Sequence, residues 1–208
     1  LSYILNDTTS IYGGVSTGYK ATAWNISRDS LPDAVEIAAL AAAGTPVGPN
    51  TGVGRRYADP EESEVFELGA KIKLPTGYLN IALFDQKIKG FQSNTFVGTG
   101  FILANAGSQS TKGVEFDLVM SPIESIDLAI SGLFMDPIYD SFPNSSSGDL
   151  SGTMPSNVSE NTISSTITWN WNLNNWDGYL RLSHLYASEA KILENPAWQA
   201  ILENAGND

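Results

Sequence analysis

The clearest pattern in the sequence is an alternation of apolar and polar side chains with a period of two residues. Across residues 63–74, apolar side chains such as Phe66 and Leu68 take every second position, and Glu67, Gly69 and Lys71 lie between them. Successive side chains of a β-strand point to opposite faces of its sheet, so the segment predicts a strand with one apolar and one polar face. The same alternation recurs in residues 114–120, 126–134 and 162–171.

Weaker alternation marks the other strand candidates. These are residues 1–5, 10–21, 78–92, 101–105 and 176–189, in which apolar and polar faces mix toward one end. Only 16% of the residues are charged, and the chain holds 19 glycines. We therefore predict an all-β chain of eight or nine antiparallel up-and-down strands.

Short and long connections alternate between the predicted strands. The short ones are residues 6–9, 75–77, 122–125 and 173–178, and the long ones are residues 21–62, 93–109 and 137–158. Consecutive antiparallel strands place successive connections at opposite ends of a sheet, so the tight turns should all lie at one end. Short turns on one side and long loops on the other are typical of transmembrane β-barrels, in which side chains alternately face lipid and lumen.

Aromatic side chains beside the short turns fit the same interpretation. Trp169, Trp171, Trp176 and Tyr179 flank one turn and Tyr78 flanks another, where interfacial rings would lie at the headgroup level of a bilayer. The alternative is aromatic core packing near the hairpin ends of a soluble sheet.

Two segments on the long-loop side predict short helices. Ser30 can cap a helix that runs to Gly44, and Asn195 with Pro196 can open another that ends before Gly206. We expect both helices to pack over neighbouring loops.

Composition and charge exclude several classes of protein. A net charge of −12 argues against a nucleic-acid-binding surface. The absence of cysteine and the single histidine, His184, leave no disulfide scaffold, thiolate nucleophile or zinc cluster. The longest purely apolar run, residues 37–43, is too short for a membrane-spanning helix.

No constellation of residues points to catalysis. Gly98-Thr99-Gly100 lacks the context of a phosphate-binding loop, and the aspartates Asp136, Asp140 and Asp149 lack the spacing of a calcium loop. We therefore predict that the protein is not an enzyme and binds neither a cofactor nor a metal of its own.

Four motifs follow one another along the first nine tenths of the chain. They are residues 12–20, residues 59–71 with a Pro-Glu and a Glu-Leu-Gly-Ala-Lys, Leu83-Phe84 ahead of Gln92, and Asn105-Ala106-Gly107 ahead of Lys112-Gly113-Val114-Glu115. In this order and spacing they resemble the barrel domain of TonB-dependent outer-membrane receptors.

The resemblance implies a fold, a location and a function. Residues 1–208 would be part of the C-terminal half of a 22-stranded transmembrane barrel in the outer membrane of a Gram-negative bacterium. The plug domain, the coupling segment and the signal peptide would precede the chain, and the closing strands would follow it. The receptor would take up a scarce solute such as a ferric siderophore, with its own plug domain, the periplasmic TonB protein and lipid as partners.

Charged residues on the polar face would line the barrel lumen. Glu67, Lys71, Glu115 and Asp117 fall on that face, and in this family such wall residues are expected to contact the plug. Gly69 and Gly113, on the same face, would allow tight curvature or close approach of material inside the barrel. The alternative for the charged residues is simple solvation in a wet interior.

The first long loop contains a candidate ligand site. Trp24, Arg55, Arg56 and Tyr57 combine two aromatic rings with the adjacent arginine pair of an acidic protein, and arginines could hold an anionic chelate by charge-assisted hydrogen bonds. The alternative is that the arginines neutralise Asp59, Glu61 and Glu62.

Two other functions stay open at this point. One is a passive porin-like channel without a plug, and the other is a soluble all-β carbohydrate-binding or adhesin module. The sequence does not distinguish among iron chelates, vitamins and sugars as cargo.

Overall fold

The computed structural model describes residues 1–24, 34–42, 57–97, 100–143, 145, 147–193 and 196–205. Within these ranges the structure has ten strands and two helices. The strands are β1 (Ser2–Asn6), β2 (Thr9–Lys20), β3 (Ala23–Trp24), β4 (Tyr57–Ala58), β5 (Glu61–Leu74), β6 (Gly77–Val97), β7 (Gly100–Ile123), β8 (Ile126–Ser141), β9 (Asn161–Leu173) and β10 (Trp176–Ala187), and the helices are α1 (Ala34–Ala42) and α2 (Pro196–Asn204).

Eight strands form one antiparallel sheet in the order β1-β2-β5-β6-β7-β8-β9-β10. Each pairs with its neighbours in the sequence, apart from the excursion between β2 and β5 that holds β3 and β4. In the part of the chain described, β1 and β10 pair on one side only, so the sheet is an open segment and not a closed barrel. The all-β, up-and-down prediction is confirmed.

The four short connections predicted at one end of the sheet are confirmed. Two-residue turns join β1 to β2, β5 to β6, β7 to β8 and β9 to β10, and all four lie at one end, here called the turn end. Asn174, in the last of these turns, has a φ of 56°, a conformation that asparagine tolerates better than most residues. The opposite end, here called the rim, holds β3, β4, the outer halves of β6 and β7, and residues 142–160.

One predicted loop is wrong. Residues 93–97 and 100–109 belong to β6 and β7, which pair as strands of 21 and 24 residues. The register of this pair shifts between Lys89 and Gln92, and Gly90 and Gly107 take φ values of +65° and +99°. A bulge breaks the period-two pattern from which strands are recognised, so the strand continues where the sequence pattern stops.

The strand register separates the side chains into two faces. On the apolar face Leu68 lies opposite Leu83, which lies opposite Val114, which in turn lies opposite Phe134. Five successive rows of this face follow β8 from Phe134 through Gly132, Ile130 and Leu128 to Ile126. The next row toward the rim is charged, because Asp85 pairs with Lys112 and Lys112 with Asp136.

The apolar face is not covered by a second layer. Leu68 and Leu83 are 58% and 49% exposed, and Leu182 is 61% exposed. In the described part of the chain the buried hydrophobic side chains are few: Ala58, Ala82, Ala106, Tyr139, Phe142 and Leu150. Four of them form a cluster at the rim, with Phe91 packed against it. The sheet therefore lacks the inner layer of a soluble sandwich.

The aromatic residues beside the turns divide between the two faces. Trp169 and Trp171 lie on the apolar face in the row of Ile126 and the row beyond it, and Trp176 continues that face at the turn. The register places Tyr78 opposite Lys73 and Tyr179 opposite Asn170, on the polar face. Of the five rings predicted at an interface, only the three tryptophans lie on the apolar face.

Both predicted helices are present. α1 lies within the segment predicted from Ser30 to Gly44, and α2 lies within the segment predicted from Asn195 to Gly206. The predicted N-caps Ser30 and Asn195 lie outside the described residues. Neither described helix has the length and apolarity needed to cross a bilayer.

Candidate functional site

The polar face gathers the four charged residues predicted to line a lumen. Lys71 lies opposite Asn80, which lies opposite Asp117. One row toward the rim, Gly69, Ala82 and Glu115 are successive partners, and Glu67 lies in the row beyond. Glu67, Lys71, Glu115 and Asp117 thus share the face opposite the apolar one, whereas contact with a plug stays a prediction.

A shallow groove crosses this face. It has a volume of about 390 Å³, and its lining includes Tyr12, Asn80, Glu115, Asp117, Thr162 and Ser164. Lys71 Nζ lies 5.6 Å from the centroid of the Tyr12 ring. The groove therefore presents hydroxyl and carboxylate oxygens beside one ammonium group.

The space above the two glycines of the polar face is already filled. The Tyr12 ring lies over Gly69 from the neighbouring strand, and the Phe84 ring lies over Gly113. Because a side chain at either glycine would overlap the ring, these glycines accommodate cross-strand aromatic packing. The prediction that they leave room for material inside the barrel is wrong on this point.

The rim carries the two aromatic residues of the predicted ligand site. β3 and β4 form a two-stranded ribbon in which Ala23 pairs with Ala58 and Trp24 with Tyr57. The Trp24 and Tyr57 rings are tilted against each other with centroids 5.2 Å apart, and Trp24 is 64% exposed. The structure thus brings Trp24 and Tyr57 together, while Arg55 and Arg56 lie outside the described residues.

Two buried amide side chains join the base of this ribbon to the long β6–β7 hairpin. Asn105 Oδ1 accepts a hydrogen bond from the Asp59 backbone N–H at 2.7 Å, and Asn105 Nδ2 donates to the carbonyl oxygens of Asp59 and Gly90 at 3.0 and 2.7 Å. Gln92 Nε2 donates to the carbonyl oxygens of Ala21 and Asp59 at 3.0 and 2.9 Å. We call Gln92 and Asn105, with these backbone partners, the amide clasp.

The carboxylate of Glu61 contacts the clasp. Glu61 Oε2 accepts a hydrogen bond from the Gln92 backbone N–H at 2.9 Å and lies 3.9 Å from Lys20 Nζ. Glu62 lies opposite Lys89 in the sheet. Glu61 therefore has a cation and an N–H donor from other strands, which weakens the alternative that Arg55 and Arg56 serve to neutralise it.

The amide clasp was not predicted as a site. Gln92 and Asn105 were recognised only as parts of motifs, because single amide residues in a stretch without alternation give no sign of burial. Their sequence signal is the neighbouring glycine: Gly90 and Gly107 mark a strand that bulges, and bulges redirect side chains.

The described residues contain no metal-binding cluster. No group of three or more His, Asp or Glu side chains in those ranges is placed to hold a cation. Asp140 accepts a hydrogen bond from Ser110 Oγ at 2.7 Å, and Asp149 accepts one from the Ser151 backbone N–H at 2.9 Å. These aspartates therefore act in local hydrogen bonding.

Comparison with known proteins identifies the sheet. The sequence model described as TonB dependent receptor-like, beta-barrel, matches residues 1–199. No curated protein sequence matches the chain.

Solved structures share the fold at low sequence identity. The ferric yersiniabactin uptake receptor FyuA from Yersinia pestis is 19% identical, with a TM-score of 0.67 over 93% of this chain and 26% of that one. The ferric preacinetobactin receptor BauA from Acinetobacter baumannii is 19% identical, with a TM-score of 0.61 over 92% and 25%. A mutant of the ferric enterobactin receptor PfeA from Pseudomonas aeruginosa is 15% identical, with a TM-score of 0.55 over 92% and 27%. The chain spans about a quarter of the length of these structures.

Proposed function

Because this chain belongs to the TonB-dependent receptor-like β-barrel family, we propose that it forms part of the wall and mouth of a receptor that takes up ferric siderophores. Members of the family are transport receptors of the Gram-negative outer membrane and not enzymes. The observation that carries the proposal is the family match over residues 1–199, and an exposed apolar face backed by a polar one supports it.

The dimensions of the apolar face suit a bilayer. Its rows along β8 extend over residues 126–134, which is about 26 Å of strand at about 3.3 Å per residue. At a strand tilt of 35–45°, this covers about 20 Å of an apolar band that is about 25 Å tall in transmembrane barrels. In this proposal the apolar face contacts lipid, and the polar face encloses a plug domain through which TonB supplies energy.

The ligand would bind at the rim. Trp24 and Tyr57 present a pair of rings there, and Arg55 and Arg56 directly precede Tyr57 in the sequence. Ferric siderophores often carry negative charge and conjugated rings, so guanidinium groups and aromatic faces suit them chemically. We propose Trp24, Arg55, Arg56 and Tyr57 as ligand-contacting residues.

Uptake by cells that carry the complete receptor tests the function. Radiolabelled ferric yersiniabactin, ferric preacinetobactin and ferric enterobactin are supplied separately, with and without a functional TonB. Uptake of at least one that stops without TonB is the expected result. Uptake that continues without TonB would instead support a passive channel, and uptake of none of the three would contradict the assignment of siderophores of these types.

Binding to the complete receptor tests the ligand residues. The double variant Arg55→Ala/Arg56→Ala should weaken binding of the transported chelate at least about tenfold, which is about 1.4 kcal/mol. Lys87→Ala/Lys89→Ala is the matched control, because it removes the same charge from the outer surface of β6 beside Glu62 and Glu64. Equal affinities in the two double variants would contradict the role of the arginines.

A further inference from the structure

The β3–β4 ribbon is too short to fix its own position. It consists of two residue pairs, and isolated two-stranded hairpins are marginally stable even when they are longer. Its base is nevertheless packed, because Ala58 is fully buried. Something outside the ribbon must therefore hold it at the rim.

The side chain of Asn105 pairs with the backbone of Asp59 in the way that a neighbouring β-strand would. Its side-chain amide accepts from the Asp59 N–H and donates to the Asp59 carbonyl, so both polar groups of that residue's backbone are satisfied by a single side chain. Asp59 directly follows Ala58, the last residue of β4. Asn105 thus fixes the position and the orientation of the backbone at which the ribbon ends.

Gln92 joins the two ends of the excursion that contains the ribbon. Its Nε2 atom donates to Ala21, just after β2, and to Asp59, just before β5. Its Oε1 atom is buried without a hydrogen-bond partner, and the opposite amide orientation would direct that oxygen at two carbonyl oxygens. The side-chain amide of Gln92 therefore links both ends of the connection between β2 and β5. Only the orientation that directs Nε2 at the two carbonyl oxygens allows these hydrogen bonds.

Burial makes these hydrogen bonds effective. Gln92 is 5% exposed and Asn105 is 6% exposed, so little water competes for their partners. Gly90, two residues before Gln92 on β6, has a φ of +65°, and its carbonyl accepts a hydrogen bond from Asn105 Nδ2 at 2.7 Å. The bulge in β6 and the two amides therefore form one junction at the base of the ribbon.

We propose that Gln92 and Asn105 are positioning residues for the ligand, because they hold the β3–β4 ribbon in the orientation that presents Trp24 and Tyr57 at the rim. The effect on ligand binding rests on the proposed function. Neither amide side chain needs to touch the ligand in this role.

Isosteric acids provide the test in the complete receptor. Gln92→Glu and Asn105→Asp each keep the shape of the side chain but replace the donating nitrogen with an oxygen that faces carbonyl oxygens. The matched control is Gln86→Glu, on the polar face of β6 and outside the clasp. If Asn105→Asp does not insert into the membrane, Gln92→Glu tests the same junction.

Two quantities are measured for each variant: amide hydrogen exchange in peptides that cover Asp59, and affinity for the chelate that the receptor transports. We expect at least tenfold faster exchange at Asp59 and at least tenfold weaker binding in both clasp variants, with neither change in Gln86→Glu. Unchanged exchange at Asp59 would overturn the proposal. Faster exchange with unchanged affinity would also overturn it, provided that Trp24→Ala weakens binding.

Failure of the proposed ligand site gives a different result. If Trp24→Ala and the double arginine variant both bind as the unvaried receptor does, the ribbon is not the ligand site. That outcome overturns both proposals together, whereas the exchange and affinity results described above overturn only the role of the clasp.

Discussion

The turn end and the rim of this sheet are stabilised in different ways. At the turn end, strands meet in two-residue turns and large side chains stay uncovered, as Trp176 does at 78% exposure. At the rim, Phe142 and Leu150 are 3% and 1% exposed in a small cluster, and buried amides join separate segments. The difference supports the proposal that lipid takes the place of a hydrophobic core along the sheet, while the rim, which extends into water in that proposal, has a small core of its own.

The same contrast predicts opposite responses to substitution. In the apolar band that we propose faces lipid, the solvation of a side chain decides its effect on stability, because its outer neighbour there is fluid hydrocarbon. At the rim, the shape and the hydrogen bonds of a side chain decide its effect on stability, as in a soluble protein. Substitutions that change polarity should therefore be most damaging in the band, and those that change volume or backbone conformation should be most damaging at the rim.

The largest effect should come from a charge in the middle of the band. Leu79 lies in the third of the five apolar rows, between Ile72 and Leu118. Leu79→Arg should reduce the free energy of unfolding of the complete receptor by about 2–4 kcal/mol, because arginine at the bilayer midplane must leave water. Denaturant unfolding in lipid vesicles measures the change.

The neighbouring residue supplies the control for that substitution. Asn80 follows Leu79 on the same strand and points to the polar face, opposite Lys71 and Asp117. Asn80→Arg should change the free energy of unfolding by less than about 1 kcal/mol. Equal destabilisation by the two substitutions would show that both faces contact the same medium, and would contradict the proposal that the apolar face contacts lipid.

At the rim, truncation of a buried side chain should have the next largest effect. Leu150 packs with Ala106, Tyr139 and Phe142. Leu150→Ala should lower the free energy of local unfolding of the rim cluster by about 2.5 kcal/mol, within the range for buried leucines. Hydrogen exchange measures it at the Leu150 amide, which donates to the Phe142 carbonyl at 3.0 Å.

A leucine from the band tests whether that loss is local. Leu182 is 61% exposed on the apolar face, far from the rim cluster. Leu182→Ala should leave exchange at the Leu150 amide unchanged. Faster exchange in both variants would mean that the rim and the band unfold as one unit and would contradict the comparison.

Alternation was sufficient to predict the regular part of the sheet. Where Phe66, Leu68 and Ala70 alternate with Glu67, Gly69 and Lys71, each residue reports its own face, and the register confirms the assignment. The four turns were predicted because short polar or proline-containing segments separate such strands. These features are local, and local features can be recognised from the sequence alone.

The rim depends on contacts between residues far apart in the chain. Gln92 bonds to Ala21 across 71 positions, and Asn105 bonds to Asp59 across 46. Neither contact has a local signature, and the bulge beside them removes the alternation that marks a strand. The same limit applies to the glycines of the polar face, since the rings that cover Gly69 and Gly113 belong to other strands.

A glycine substitution that strains the backbone should also destabilise the rim, but by less than the truncation of Leu150. Gly107 has a φ of +99°, and a Cβ there would overlap the backbone of Ser141. Gly107→Ala should therefore cost about 2 kcal/mol of rim stability. Gly14→Ala is the control, because a Cβ at Gly14 meets no atom within 4 Å and should be nearly neutral. Hydrogen exchange in residues 139–142 measures both variants, and equal rates would show that the bulge is not strained by a side chain.

The smallest effect should be a pH dependence of the rim loop that holds Asp149. The hydroxyl and backbone N–H of Ser151 hold the pKa of Asp149 below its ordinary value of 3.8. Since the pKa is lowered in the folded loop, the stabilisation is fully present above pH 3.8 and is lost as the pH falls through the lowered value. Exchange at Ser151, corrected for the intrinsic rate, should quicken by less than about threefold between pH 5 and pH 3, because the carboxylate is fully exposed.

Asp149→Asn has no titrating group at this position and should remove this pH dependence. A response of the same size in that variant would assign it to another group.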